Sequence, residues 1–333
     1  MTPQRVGIIG TGNMGRIHAR VLSSRRSLSG VADTDYESAK EVAKNYGVKP
    51  FENYDSMIEE LSLDGVIIST PTSTHAEIAQ AIANKHDGIK GLLIEKPLAS
   101  TLADAEMVAD TLRKKGIRAV ISHSEIYNPV VERALTLIQD GAIGEPRTVI
   151  HDRRGFVLES RIPSLGDVFE DIGVHDFDIM ARISKGPAKL YAHCYEAGGI
   201  INAGTIMVKF EEGTEHSFHL SRQYAGRQRS MDVSGTKGTL ILDLFGQIIK
   251  VVDLDQEPSA TDRAIHLPER GATIKVYGEP IGQVITDFLN VIEFDHEPIV
   301  GLDDGISALR IVEAARKSAR SGKVVDIEVK ARK

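Results

Sequence analysis

The chain has 333 residues, 41% of them hydrophobic, and a net charge of −7 from 47 acidic and 40 basic side chains. That length supports two domains with cores of their own, and the mixed, slightly acidic charge argues against nucleic acid as the main partner. No apolar run approaches the ~20 residues of a membrane span, Cys194 has no second cysteine to pair with, and no Cys/His cluster has zinc spacing, so no metal is expected. Met1-Thr2-Pro3-Gln4-Arg5 runs straight into the first strand without a signal-peptide pattern, and the expectation is a soluble, cytoplasmic protein. Cys194 is read as a small buried apolar residue. With no Trp and only 5% aromatics, stacking platforms for bases are not expected.

The first apolar run, Val6-Gly7-Ile8-Ile9, ends at Gly10, Gly12 and Gly15 and opens a stretch of helical spacing over 14–22. A second strand over 28–32 then ends at Asp33, 18 residues after Gly15. G-x-G-x-x-G between strand and helix, with an acid at the end of the next strand, is the pattern of a dinucleotide site. Gly10 permits the tight turn, Gly12 lets the backbone approach a pyrophosphate, and Gly15 lets helix and strand pack closely. The phosphate charge meets free N–H groups at the helix start. A carboxylate at Asp33 accepts from a ribose hydroxyl and repels a 2′-phosphate, so NAD is favoured over NADP. Arg25 and Arg26 lie at the far end of that strand.

Further apolar strands over 66–69, 91–94 and 118–122 alternate with helical periodicity over 74–83 and 102–112. Continuous apolar strands separated by helices predict a doubly wound parallel α/β sheet covered on both faces. The rhythm changes after about residue 122. A helix over 129–139 is followed by alternating segments over 190–196, 205–210, 217–221, 230–234 and 240–242, with turn pairs such as Glu212-Gly213 and Lys237-Gly238 between them. Alternation of this kind predicts an antiparallel sheet with one buried face. A helix over 169–183 interrupts it, two more follow over 282–294 and 303–321, and a short strand covers 324–327. Part of 254–280 is expected to be loop. The expected division is a Rossmann domain over 1–123 and an α+β domain for substrate binding and oligomerisation over 124–333.

Glu95-Lys96-Pro97 directly follows the parallel strand over 91–94. Ligands of open parallel sheets bind outside the carboxyl ends of the strands, so Lys96 sits where catalysis belongs. Pro97 restricts Lys96 to extended geometry. Thr70, Pro71 and His75 follow the strand over 66–69 at the switch region and are read as lining the cofactor, although His75 also suits the start of the next helix. In Glu170-Asp171-Ile172-Gly173-Val174-His175-Asp176-Phe177-Asp178, Asp171 and His175 are four apart and share a face of a regular helix, with Asp178 on the same side and Asp176 pointing elsewhere. An acid-rich first helical turn is an equally good account of this spacing.

Four motifs, in this order, resemble the Gfo/Idh/MocA oxidoreductases over nearly the whole chain: Gly10-Thr11-Gly12-Asn13-Met14-Gly15, Thr70-Pro71-Thr72-Ser73-Thr74-His75, Glu95-Lys96-Pro97-Leu98-Ala99 and the segment 171–178. Glu-Lys-Pro is the most specific of them. The resemblance implies a Rossmann domain followed by an α+β domain on an open, mostly antiparallel sheet. It implies that Lys96, Asp171 and His175 line the site, and that Asn13, Met14 and Glu95 join the glycines against the cofactor. The Gly-Gly pair that many members carry before the Asp is replaced here by Ser164-Leu165-Gly166-Asp167. A narrower resemblance, to members that oxidise C3 of UDP-N-acetylglucosamine, is carried by His123-Ser124-Glu125-Ile126-Tyr127-Asn128-Pro129, Arg153-Arg154-Gly155 and Arg161-Ile162-Pro163. It implies Tyr127, Arg154 and Arg161 as substrate contacts. Arg153, Arg154 and Arg161 are suited to a diphosphate, or else pair with Glu145, Asp152 or Glu159 on a solvated sheet edge. Arg154 is the one favoured for the pocket.

The expected chemistry is hydride transfer between a secondary alcohol of a sugar, polyol or nucleotide sugar and NAD. His175 is the expected base and Lys96 the group that stabilises developing alkoxide, with the reverse assignment open. Asp171 orients a hydroxyl or a catalytic side chain. The alternatives are a non-redox sugar enzyme that uses bound NAD transiently and an NAD-binding regulator without catalysis. An open sheet face needs covering, so a homodimer or homotetramer is expected.

Overall fold

The computed structural model describes residues 4–253 and 271–330. The chain divides into two compact units, residues 1–127 with 279–309 and residues 128–278 with 310–333. The contiguous split expected at residue 123 is therefore crossed by a return of the chain to the first unit, and the last boundary, 309/310, falls within a helix.

The first unit alternates β1 (Val6–Ile9), α1 (Asn13–Ser24), β2 (Leu28–Ala32), α2 (Tyr36–Tyr46), β3 (Lys49–Phe51), α3 (Tyr54–Leu61), β4 (Gly65–Ile68), α4 (Thr72–Lys85), β5 (Gly91–Ile94), α5 (Leu102–Lys115) and β6 (Arg118–Ile121). The six strands are parallel, in the order β3-β2-β1-β4-β5-β6. This is the doubly wound Rossmann order, with its switch point between β1 and β4. β1, β4 and β5 are buried at every residue, as both-faced coverage of a parallel sheet demands. The sequence reading did not single out α2, α3 or β3, the last only three residues long.

The second unit contains α6 (Pro129–Gln139), β7 (Pro146–Phe156), α7 (Val174–Ile183), β8 (Gly186–Ala197), β9 (Ile200–Phe210), β10 (Glu215–Ser221), β11 (Gln223–Gly235), β12 (Gly238–Asp243), β13 (Ile248–Asp253) and β14 (Gly271–Lys275). α8 (Pro280–Phe294) belongs to the first unit, where Phe288, Val291 and Ile292 pack on Gly91 of β5. α9 (Leu302–Ser321) and β15 (Val325–Val329) complete the chain.

The described strands of the second unit form one nine-stranded sheet, ordered β14-β13-β12-β11-β7-β10-β9-β8-β15. Every pairing is antiparallel except β7 with β10. Most of the segment expected to hold loop lies outside the described residues; of the rest, Gly271–Lys275 is β14 and 276–279 is irregular. Register sorts the side chains onto two faces. His151, Phe218, Ile206 and Ala192 form a buried row across β7, β10, β9 and β8. Ile150, Ser217, Met207 and Tyr191 form the row on the opposite, open face, with Ile150 40% and Met207 56% exposed.

Candidate functional site

In the first unit the site is built at the carboxyl ends of the parallel strands. Gly10 has φ +90°, and a Cβ there would lie 2.7 Å from the Ser69 carbonyl oxygen. A Cβ on Gly15 would lie 2.0 Å from the Gly10 carbonyl oxygen, so only glycine lets α1 start this close to β1. The Ser69 hydroxyl donates to the Ile9 and Gly10 carbonyls at 3.1 and 2.8 Å, which locks the two turns of the switch point together. Gly12, the N-cap of α1, is different. It is exposed, no side chain caps the helix, and a Cβ on it would meet nothing within 4 Å. The uncapped N–H groups of α1 thus face open space, with Asn13 exposed and Met14 half-buried in its first turn.

Asp33 ends β2, and its Oδ2 accepts from the Thr11 N–H at 2.6 Å and the Thr11 hydroxyl at 2.8 Å. Its Oδ1 accepts from the Asp35 N–H at 2.9 Å. Arg16 lies at the same edge, donating to the Thr11 carbonyl at 3.1 Å and to Glu41 at 2.7 Å. Sequence reasoning weighed Arg25 and Arg26 as cations here but missed Arg16, which reaches this edge only because α1 lies alongside it.

Glu95 ends β5 with its side chain turned inward. Its Oε1 lies 2.7 Å from His18 Nε2 of α1, and its Oε2 accepts from the Lys96 N–H at 3.2 Å. Burial alone would raise the Glu95 pKa, but the hydrogen bond and charge of His18, with Ser122 and Lys96 nearby, hold it below the ordinary value. Glu95 therefore supports the Lys96 turn from behind, and the expected direct cofactor contact is not what its carboxylate makes. Lys96 is half-buried and its bond to Pro97 is cis. The ring nitrogens of His75 lie 2.9 Å from the Pro97 and Thr70 carbonyls. His75 thus ties the turns after β4 and β5 together, and burial pushes its pKa down. Both of its ring nitrogens are engaged by the chain. Thr70 accepts from the Thr74 hydroxyl at 2.8 Å, and Pro71, exposed, is the N-cap of α4. Tyr127, expected at the substrate, is 4% exposed, and its hydroxyl donates to the buried Asp287 carboxylate at 2.7 Å.

In the second unit Asp171 lies not on a regular α-helix but on a π-helical turn, Phe169–Gly173, that leads into α7. Wider turns of this kind are frequent at functional sites. The four-residue spacing to His175 therefore does not stack the two side chains as on a continuous α-helix. The turn is held by cations remote in sequence. Arg316 of α9 binds Asp167 and Glu170. Arg222, 1% exposed, donates to the Gly166 and Ile201 carbonyls at 2.8 and 3.2 Å and places Nη1 3.7 Å from Asp171 Oδ2. Burial lowers the Arg222 pKa while Asp171 and Asp167 oppose the shift. His175 and Asp171 are both half-buried, and the buried Asp178 pairs with Arg182 at 3.3 Å.

The three arginines offered for a diphosphate separate. Arg153 is 4% exposed and grips Asp176 of α7 through Nε at 2.6 Å and Nη2 at 3.1 Å. Arg154 points to the opposite face of the sheet, binds Asp152 through Nε and Nη2 at 2.5 and 2.6 Å, and lies over the Tyr224 ring. It lines an open cavity of about 660 Å³ with Asp152, His193, Cys194, Thr205 and His219. Period two in β7 thus puts Arg154 on the face of the sheet opposite to Arg153 and α7. Arg161 is exposed on the 3₁₀ turn Glu159–Ser164. Cys194 is half-buried, not fully buried as expected.

Comparison with known proteins agrees with this architecture. Residues 4–123 match the Gfo/Idh/MocA oxidoreductase family, NAD-binding Rossmann fold, and residues 131–241 match its C-terminal domain. The chain belongs to the Gfo/Idh/MocA family. Among its relatives is a myo-inositol 2-dehydrogenase of Thermotoga maritima, 25% identical over 97% of this chain and 98% of that one. A UDP-N-acetylglucosamine 3-dehydrogenase of Acidithiobacillus ferrooxidans is 25% identical over 95% and 96%. A solved levoglucosan dehydrogenase in complex with NADH and levoglucosan shares the fold with a TM-score of 0.86 at 20% identity, over 99% and 100% of the two chains.

As a member of this family the protein is an NAD-dependent oxidoreductase. The first unit suits that cofactor on its own geometry. The open space over Gly12 and the uncapped start of α1 fit a pyrophosphate, and Asp33 follows β2 at the position where the dinucleotide pattern has its acid. Among the described residues no group of His, Cys, Asp and Glu has metal-binding geometry, and no helix is long and apolar enough to cross a membrane.

Proposed function

We propose that this Gfo/Idh/MocA protein oxidises a secondary alcohol of a sugar or polyol. The π-helical turn with its half-buried Asp171, followed at once by His175, is the observation that carries this reading. NAD supplies the hydride acceptor at the nicotinamide ring. His175 takes the hydroxyl proton, since an imidazole is matched to proton removal near neutrality. The Lys96 ammonium stabilises the alkoxide charge as it develops. Asp171, fixed by Arg222, orients a second hydroxyl of the substrate. Gly10, Gly12 and Gly15, with Asn13 and Met14, hold the pyrophosphate, and Asp33 the ribose, in preference to NADP.

Two of the three arginines suited to a diphosphate are committed to carboxylates, Arg153 to Asp176 and Arg154 to Asp152. This favours an uncharged sugar or polyol. Oxidation of C3 of UDP-N-acetylglucosamine is the second reading, supported by the Acidithiobacillus relative, and it would lean on Arg161. Ile150, Tyr195 and Met207 are exposed on the open sheet face, and a second copy of the chain covering it would make a homodimer or homotetramer.

The test is a panel of myo-inositol, free aldoses and UDP-N-acetylglucosamine with NAD and NADP, followed by nicotinamide absorbance. Lys96→Ala and His175→Ala should each lower turnover of the active compound by at least ~10²-fold. NAD affinity should survive in both. Near-normal turnover in both variants would show that the chemistry lies elsewhere.

A further inference from the structure

α7 is fastened to the sheet by a chain of buried polar groups running from its first turn to its C-cap. Asp176, 4% exposed, is gripped at both oxygens by the Arg153 guanidinium of β7. Its Oδ1 lies 3.8 Å from Nδ1 of His151, which is two residues earlier on the same strand and fully buried. His151 Nε2 lies 3.2 Å from His216 Nδ1 on β10, and the two rings stack with Phe218. His216 Nε2 lies 3.0 Å from the hydroxyl of Ser184, the C-cap residue of α7. Both ends of the helix are thus pinned to the same pair of strands.

An apolar helix face packed on a sheet fixes the helix through shape alone, so small residual shifts meet only soft resistance. A forked guanidinium–carboxylate pair adds a direction. Asp176 adjoins His175, so the angle at which Arg153 holds Asp176 also sets the direction in which His175 leaves the helix. An ion pair this deep is a poor source of net stability, since desolvation offsets most of its attraction. Its directional effect is the better account of its place.

We propose that Asp176 and Arg153 are positioning residues for His175, fixing the rotation of α7 so that the imidazole is held for proton transfer. The inference rests on His175 being the proton acceptor proposed above. It assigns Arg153 a role opposite to the phosphate contact its sequence suggested. The grip also keeps Asp176 ionised: burial would raise its pKa, but the Arg153 charge and His151 hold it well below the ordinary carboxylate range.

The experiment compares Asp176→Asn, the double variant Arg153→Met with Asp176→Asn, and His175→Ala, with the panel compound turned over fastest. The double variant removes both charges and keeps volume, so it guards against a fold lost to an unpaired buried arginine. In folded variants kcat should fall by about 10-fold or more while KM and NAD affinity stay within about twofold, because displacing a catalytic group by ~1 Å can cost up to 10²-fold. Arg153→Lys should restore part of the kcat, keeping charge but not the fork. A folded double variant with the kcat of the unmodified protein overturns the proposal. So does a parallel loss of kcat, KM and NAD affinity, which reports general loosening. If His175→Ala itself turns over normally, the proposed function fails first; if His175→Ala is inactive and the double variant fully active, only the positioning role fails.

Discussion

Replacing Gly12 and Gly15 separately by alanine splits two roles that the glycine motif combines. At Gly12 the backbone has φ −66°, which alanine adopts freely, and a Cβ would meet nothing within 4 Å. Alanine is a poorer N-cap than glycine by up to ~1 kcal/mol. It also reduces the freedom of the unfolded chain, which returns about 0.4–1 kcal/mol. The two nearly cancel, so Gly12→Ala should leave the melting temperature of the ligand-free protein within about 2 °C. At Gly15 a Cβ would stand 2.0 Å from the Gly10 carbonyl oxygen, backbone against backbone, with no rotamer to relieve it. Helix propensity returns about 1 kcal/mol, while overpacking of this kind costs about 1–3 kcal/mol, and more where neither atom can move. A net loss near 2 kcal/mol should lower the melting temperature by about 4–8 °C. NAD affinity should respond differently. The methyl of Gly12→Ala enters the open space proposed for the pyrophosphate and should weaken NAD at least tenfold, or about 1.4 kcal/mol. Thermal unfolding of the ligand-free variants and calorimetric titration with NAD measure the two effects independently. Unchanged NAD affinity in Gly12→Ala would refute the placement of the pyrophosphate, and an unperturbed melting temperature in Gly15→Ala would refute the account of the turn.

Three further outcomes follow from other parts of the chain. Asp33→Ser should narrow the gap between NAD and NADP, helped by Arg16 at the same edge; tighter binding of NADP than NAD to the unmodified protein would count against the role of Asp33. Asp176 has a folded-state pKa below its unfolded value of ~3.9, so its contribution to stability is present at neutral pH and is lost as pH falls. The stability difference between the unmodified protein and Asp176→Asn in urea should therefore shrink below pH ~4; a constant difference would contradict the ion pair. Light scattering at micromolar concentration should show a dimer or tetramer, and its disruption by Met207→Asp should follow if the open sheet face is the contact; a monomer would exclude that assembly.

The sequence by itself determined what is local. Apolar runs between helical periods specified the parallel sheet, because a strand covered on both faces must be apolar throughout. The glycine turn, the acid at the end of β2 and the Glu-Lys-Pro turn after β5 were legible for the same reason, each being set by a few neighbouring residues. Even the split between Arg153 and Arg154 is written in their adjacency, since neighbouring strand residues face opposite sides. Which side lies under α7 is not written there, and only the tertiary structure decided it. It gave Arg153 to Asp176, 23 residues away, and Arg154 to Asp152. It likewise joined His18 to Glu95 across 77 residues and brought Arg222 and Arg316 to the acid-rich turn around Asp171. A run of acids announces that cations are needed. Their identity depends on how the strands register and which helix returns to cover them, because a buried charge accepts as partner whatever the packed fold brings within reach.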